Sequence, residues 1–469
     1  MFINLYKFYS ARLSSKLLLI IFVSLNSFSA LSQAFSINSL NQAIQYAHQH
    51  DLWLQKSELN QAQRLAQSIS KSQLDNPKLT LELMNLPLDS LSLSQEAMTQ
   101  VSFGISQEFA RGDSLALNQA ILEISAFELE ILRENRRAEL TSVISQIWFD
   151  AYQSFKTIEM IQAEQYLFEQ MLELAQVNYT SAAAETNQDE VLKAELDLYQ
   201  LQDTLLIEQE KLDANLARLS EWLINFNPER NLTLTPNAVS HAQIEIQALA
   251  ISQPNILTLA LTDMALVKLI MRHPSVYRFE VKQQQSQKEV ALAEQSYQPR
   301  WGLTAKYGYR ADSAVHSDSD FFSIGASLDM PLFSHKKQQH QVKSAVLAGE
   351  SIKTEKRLVI QQLLARLKRE LKSLKHLESR EKLYQKKILS QSAQQTESSL
   401  TAYTHDSGHF SKVVQRKIAQ LNARIKALNV TVQKAKTIVR VNYLLTQTSR
   451  SNKAKNTKST NEKQGTSHE

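Results

Sequence analysis

Lys412 and Arg416 stand four residues apart in a helical sequence pattern, so both cationic side chains fall on one helix face. Earlier in the chain, Asp189 and Glu190 open another such pattern with two carboxylates. These groups can pair with each other or present charge to passing ions; the alternative is that the basic pair simply points into water. Covalent chemistry finds no comparable grouping. The 11 histidines are scattered, and no His-x-x-x-His or His-Glu-x-x-His occurs within a helical pattern to place two rings on one helix face. His335 and His340 lie five apart in a basic stretch, a poor setting for a metal cation. The chain has no cysteine, which excludes disulfides, thiolate metal sites and a Cys nucleophile. Met84 lies in a strand-like run, where packing accounts for it without a soft metal. No Gly-rich phosphate loop occurs. We therefore expect no catalytic residues, no cofactor and no metal ligands, so any driving energy must come from a partner.

The elements that hold these charges are long. Only 8 Gly and 8 Pro punctuate 469 residues, which implies extended helices and few turns. Ile144, Ile147, Ala151, Ser154, Ile158, Ile161, Gln165, Phe168, Leu172 and Ala175 step by three and four. So do Val191 to Trp222 and, later, Val414 to Val439. Sustained spacing of this kind means coiled-coil packing. A continuous helix from about Gly112 to Tyr179 would reach about 100 Å. The two interruptions in these runs, Tyr179 to Ala184 and Tyr403 to Gly408, read as hairpin tips. The stretch from His335 to Lys375 is dense in Lys and Arg, with Glu350, Glu355 and Glu370 its only acids. It reads as a solvated helix face, with a membrane leaflet or a nucleic-acid surface as the alternative. A net charge of +5 is too small to argue for nucleic acid alone.

The long unit occurs twice, each copy running short helix, strand pair, long helix, turn, long helix. His50 recurs as His273, Asn76-Pro77 as Gln298-Pro299, and Phe103-Gly104-Ile105-Ser106 as Ile324-Gly325-Ala326-Ser327. The offset is nearly constant, which marks a duplicated fold. Before the first strand, Ser39 to roughly Leu74 reads as one helix. In copy one Leu79, Leu81 and Leu83, then Val101, Phe103 and Ile105, alternate with polar residues. In copy two Trp301, Leu303, Ala305, Tyr307 and Tyr309, then Phe322, Ile324, Ala326 and Leu328, do the same. Each strand is apolar on one face and small or polar on the other, the pattern of a tilted transmembrane β-strand or of a half-buried soluble hairpin.

The N-terminus favours the membrane reading. Lys7, Arg12 and Lys16 precede the apolar run Leu17 to Val23, and Ser32 and Ala34 form a small-residue exit. This is the pattern of a secretory signal over residues 1–34. No later segment approaches 18 consecutive apolar residues, so entry into a membrane would require a closed barrel. The remaining divisions follow. Residues 35–224 form the first repeat, with strands over about 78–109 and a helical hairpin over about 112–224. Residues 225–260 form a connector packed at mid-height, containing Pro228, Pro236 and Pro254. Residues 261–447 form the second repeat, with strands over about 300–330 and a hairpin over about 335–445. The Ser-, Lys- and Thr-rich end, 448–469, reads as a disordered polar tail.

This order of elements over roughly residues 36–447 resembles the outer-membrane efflux proteins typified by TolC. The run from Asn76-Pro77 to Pro87, followed by Val101 to Phe109, is similar to the heavy-metal cation efflux branch. It departs from that branch at Met84-Asn85 and at Ala110-Arg111-Gly112-Asp113. The resemblance implies a mainly α fold with a transmembrane β-barrel portion: a homotrimeric α/β tunnel with four strands and two helical hairpins from each chain. It implies an outer-membrane channel of a Gram-negative bacterium with a long periplasmic portion. Such a channel works passively in a tripartite efflux pump or type I export system, with metal cations as one cargo, and is not an enzyme. The implied partners are further copies of the chain, a periplasmic adaptor, an inner-membrane pump reached through it, and outer-membrane lipid, with no nucleic acid. Tyr179, Thr180, Ser181 and Ala183 in tip one, and Tyr403, Thr404, Ser407 and Gly408 in tip two, would contact the adaptor. Asp189, Glu190, Lys412 and Arg416 would line the periplasmic constriction, where relatives often place acids. Leu81, Phe103, Trp301, Tyr307 and Phe322 would face lipid. A periplasmic coiled-coil adaptor or structural protein is the second reading. Such adaptors carry one hairpin in a Gly-rich β-domain, and this chain has two hairpins and few glycines.

Overall fold

The computed structural model describes residues 37–180, 188–223, 236–252, 263–312, 317–333, 335–405 and 409–449. The signal segment, Ser181, Ala183, Ser407, Gly408, and the strand-like Leu232-Thr233-Leu234 lie outside the described residues.

The first repeat begins with α1 (Leu40–His50) and α2 (Leu52–Lys71). The single helix expected over this stretch is broken at Asp51. There the carboxylate accepts a hydrogen bond from the N–H of Leu54 at 2.8 Å and starts a new helix. Strands β1 (Lys78–Met84) and β2 (Gln100–Phe109) follow. Next come α3 (Ser114–Thr180) and the returning α4 (Gln188–Leu223). With 67 residues, α3 is about 100 Å long.

A 3₁₀ turn (Pro236–His241), α5 (Ala242–Ala248) and α6 (Asp263–Ile270) join the repeats. The second repeat comprises α7 (Pro274–Glu294), β3 (Arg300–Tyr309) and β4 (Phe321–Asp329), then α8 (Lys336–Leu383). A π turn (Tyr384–Ile388) leads from α8 into α9 (Leu389–Thr404), and α10 (Phe410–Leu444) returns. His273 starts α7 as Asp51 starts α2, through a side-chain nitrogen that accepts from the N–H of Ser275. The two caps thus use different chemistry, one position apart in the repeat alignment.

The strands form one antiparallel sheet in the order β1-β2-β3-β4. The β2–β3 pair joins the two repeats. Below the sheet, helices lie side by side: α2 packs on α3, α3 on α7, and α7 on α8. Further along, α4 packs on α3, α3 on α10, and α10 on α8 and α9. The largest core sits at the middle of α3, where Trp148, Phe149 and Ala151 pack with Leu219, Val239, Ala242 and Val432. Connector residues Val239 and Ala242 are fully buried there. Near the chain's end Thr448 is also buried, and its N–H donates to the carbonyl of Arg272 at 3.1 Å. Residues 450–469 of the expected tail lie outside the described residues. Among the described residues no helix is long and apolar enough to cross a membrane.

Candidate functional site

The sheet sorts its residues by parity. Leu81, Phe103, Tyr307 and Phe322 form one row across all four strands. Leu79, Ile105, Ala305 and Ile324 form the next row, and Phe109, Trp301 and Leu328 a third towards the helices. Most of these large side chains are exposed, including all five expected to face lipid. The opposite face carries Thr80, Gly104, Lys306 and Ser323 in one row and Glu82, Ser102, Gly308 and Phe321 in another. Lys306 pairs with Glu82 at 3.0 Å, and Arg300 with Glu108 at 3.2 Å. One sheet therefore has a bare apolar face and a face that, Phe321 at its edge apart, is small, polar and ion-paired. Its outer strands are β1 and β4.

At the base of the sheet Arg111 donates to the carbonyl of Gln298 and to the carboxylate of Asp329, each at 2.6 Å. Gly112 makes the turn into α3 at φ 44°, and a Cβ there would lie 2.2 Å from Oε1 of Gln295. The positive φ favours glycine, and a side chain there would displace the Gln295 amide. That oxygen accepts the N–H of Asp113 at 3.1 Å, tying the first repeat to the second.

The far end of the helices holds the tip residues. Ile161 and Phe168 of α3, Ala194 and Leu201 of α4, and Phe410, Val414 and Leu421 of α10 share one core. The ring of Tyr403 meets that of Phe410 at 5.9 Å. Thr404 ends α9, and Tyr179 and Thr180 end α3, though the side chains of the last two lie outside the described residues. On the surface of this end, Asp189 and Lys193 of α4 face Lys412, Gln415 and Arg416 of α10 across a shallow cleft of about 590 Å³. The structure thus brings Asp189, Lys412 and Arg416 together, with Lys193 added: among the described side chains, three cations against one carboxylate. Arg416 also donates to Oε1 of Gln395 on α9 at 3.2 Å. The side chain of Glu190 lies outside the described residues.

Sequence reasoning missed the ion pairs along α10. Lys417 and Arg424 share Glu164 of α3 at 3.1 and 3.2 Å. Lys436 pairs with Asp150 of α3 at 2.6 Å. Lys434 reaches Glu381 of α8 at 2.7 Å, and Arg440 reaches Glu370 of α8 at 2.8 Å. Burial alone would raise the Glu370 carboxyl, but the Arg440 and Arg369 guanidiniums override it and hold it below the usual carboxylate range. Helix α10 is therefore bonded to the first hairpin on one side and to its own hairpin on the other. The alternation of Lys and Arg along α10 was legible, but its acidic partners lie tens to hundreds of residues away. Among the described residues no group of His, Asp and Glu is placed to hold a metal ion.

Solved structures share this arrangement. CusC, in which conformational changes accompany folding and transmembrane channel formation, superposes with a TM-score of 0.68 at 13% identity, covering 87% of this chain and 92% of that one. The outer membrane protein VceC of Vibrio cholerae gives 0.66 at 15% identity, covering 87% and 96%. The open-state MtrE outer membrane channel of Neisseria gonorrhoeae gives 0.66 at 12% identity, covering 87% and 88%. The chain has the TolC-type fold. No family profile matches the sequence, and no curated protein sequence does either. At 12–15% identity the shared element is the backbone architecture, and side-chain identity is largely absent. In the TolC-type fold of this chain, the apolar sheet face adjoins the start of α3, and the cleft at Lys412 and Arg416 lies beyond its other end, beside the starts of α4 and α10.

Proposed function

We propose that the chain is an outer-membrane channel, a passive conduit in a tripartite efflux or type I export assembly. The observation that carries this reading is a layer with two unfinished edges and one bare apolar face. Strands β1 and β4 end the sheet, and exposed strand edges are templates for further pairing. The helices beneath them, α2 and α8, expose Leu59, Leu65 and Ile69 on one side and Val346, Leu347 and Leu358 on the other. Pairing β4 of one copy with β1 of the next closes both sheet and helical layer at once. Three copies give about twelve strands, an allowed even number for a membrane barrel. The apolar rows then meet lipid and the Lys306–Glu82 face lines water.

In this reading the helices project into the periplasm of a Gram-negative bacterium, and the tips meet an adaptor that connects to an inner-membrane pump. Tyr179 to Ala184 and Tyr403 to Gly408 are the docking turns. The cleft with Asp189, Lys193, Lys412 and Arg416 lies at the narrow end. Its basic character fits anionic or neutral cargo better than cations. Metal cations as cargo rest on the strand motif from Asn76-Pro77 alone. The chain supplies a path and no chemical step.

Fractionation tests the reading. A heat-resistant oligomer of about three chains in the outer membrane is expected. A soluble periplasmic monomer would replace it with the adaptor or structural reading.

A further inference from the structure

The two strand-to-helix junctions are equivalent in the repeat but differ in construction. Between β2 and α3 the chain takes four residues, 110–113, and Arg111 is turned back onto Gln298 and Asp329. Between β4 and α8 it takes six, 330–335. The longer junction exposes Met330, Leu332 and Phe333, at 40%, 65% and 99% of their surface. Met330 and Leu332 continue in sequence the even-numbered apolar alternation of Phe322 to Leu328, just past the end of the strand. Exposed Lys336 and Lys337 follow in the first turn of α8, which contains no acid. A helix favours acids at that end, so helix stability does not account for two lysines there. His340 and Lys343 continue the exposed basic surface for two more turns. Beside it, Tyr297 packs its ring on that of His335 at 5.8 Å, bracing the start of α8.

From apolar row to aromatic row to lysines, the order of side chains is the order of a bilayer boundary: acyl chains, interface, headgroups. We propose that the β4–α8 junction is a binding surface for anionic glycerophospholipid in the periplasm-facing leaflet. Leu332 and Phe333 enter the acyl layer, and Lys336 and Lys337 meet the lipid phosphates. This rests on the outer-membrane reading above and adds to it a lipid class and a site present in one repeat only. Charge complementarity selects the occupant. An apolar patch bordered by several cations matches a lipid with an apolar tail and a net negative headgroup, and neutral phosphatidylcholine satisfies only the first half.

The absence of cysteine makes the test direct. Phe333→Cys and, in the first junction, Asp113→Cys are each labelled with an environment-sensitive fluorophore in the full-length oligomer. The oligomer is then placed in nanodiscs of equal parts phosphatidylcholine and phosphatidylglycerol. The label at 333 is expected to shift to the blue and to be quenched by shallow spin-labelled lipid, while the label at 113 remains in water. Native mass spectrometry of the unlabelled oligomer should show phosphatidylglycerol retained over phosphatidylcholine by about tenfold or more, as two lysines at an anionic surface imply. K336E/K337E should abolish that preference while leaving the oligomer heat-resistant. A fluorophore in water at 333, shielding of it by another protein, or equal retention of the two lipids by an assembled oligomer overturns the inference and leaves the channel intact. Failure of the wild-type chain to enter nanodiscs overturns the channel reading itself.

Discussion

Phe103 lies directly opposite Tyr307 across the β2–β3 pair. This is where the two repeats become one sheet. On either side Leu81 extends the row from β1 and Phe322 from β4. Four residues drawn from 242 positions of sequence thus form one apolar line, all exposed in the single chain.

If that line meets lipid, a charge in it is costly. Phe103→Arg and Phe322→Arg should each destabilise the barrel by about 2–4 kcal/mol at mid-bilayer, and less nearer the interfaces. Yield of the heat-resistant oligomer in the outer membrane is the measurement. Normal assembly of both variants would show the apolar face to be packed elsewhere.

The hairpin tips should be the partner-binding end. Photo-crosslinkers at Ser181 and Ser407 are expected to capture a periplasmic adaptor, since they follow closely in sequence on Thr180 and Thr404, where α3 and α9 end away from the sheet. Labelling of either site by a membrane-impermeant reagent added outside intact cells would reverse the orientation.

The cleft at Asp189, Lys412 and Arg416 should set the channel's ionic preference. In a trimer each residue occurs three times around the axis, and rings of charge control conduction through narrow pores. A Lys412→Glu, Arg416→Glu double variant is expected to move selectivity towards cations in planar bilayers. Unchanged conductance and selectivity would make both ordinary surface charges.

His273 should make the helical body acid-sensitive. Its ring is fully buried; Nδ1 accepts from Ser275 N–H at 3.2 Å and Nε2 donates to the Tyr443 carbonyl at 3.1 Å. Burial lowers its pKa to about 4, and the Tyr443 hydrogen bond only partly opposes this. A proton added at Nδ1 would face the Ser275 N–H, so the folded state resists protonation. The unfolded state accepts the proton near 6.5, so stability is full above that pH and falls as pH drops towards about 4. The loss should reach about 3 kcal/mol per chain. Melting of wild type and His273→Asn across this window checks it: the wild type should lose stability on acidification, and the variant should be nearly flat in that interval.

The sequence by itself determined the periodicities and therefore the elements. The three-four spacing from Ile144 to Ala175 made α3 one rod, because its apolar side chains recur on one helical face. Alternation at Leu79 to Leu83 and Trp301 to Tyr309 made strands and sorted their faces, because successive Cβ atoms point to opposite sides. The duplication was legible because matched residues kept a constant offset. The break at Asp51 was not, because Ser39 to Leu74 keeps a helical pattern and a single side-chain cap decided the bend.

Tertiary structure alone decided what lies beside what. The sharing of Glu164 by Lys417 and Arg424, and the bond from Arg440 to the buried Glu370, join residues far apart in the chain. Periodicity assigns a residue to a face but names no partner across it. The pairing of Phe103 with Tyr307, and the different fates of the two strand-to-helix junctions, depended on how the repeats dock. A repeat pattern is silent on docking, because both copies carry the same local signals and only packing against each other distinguishes them.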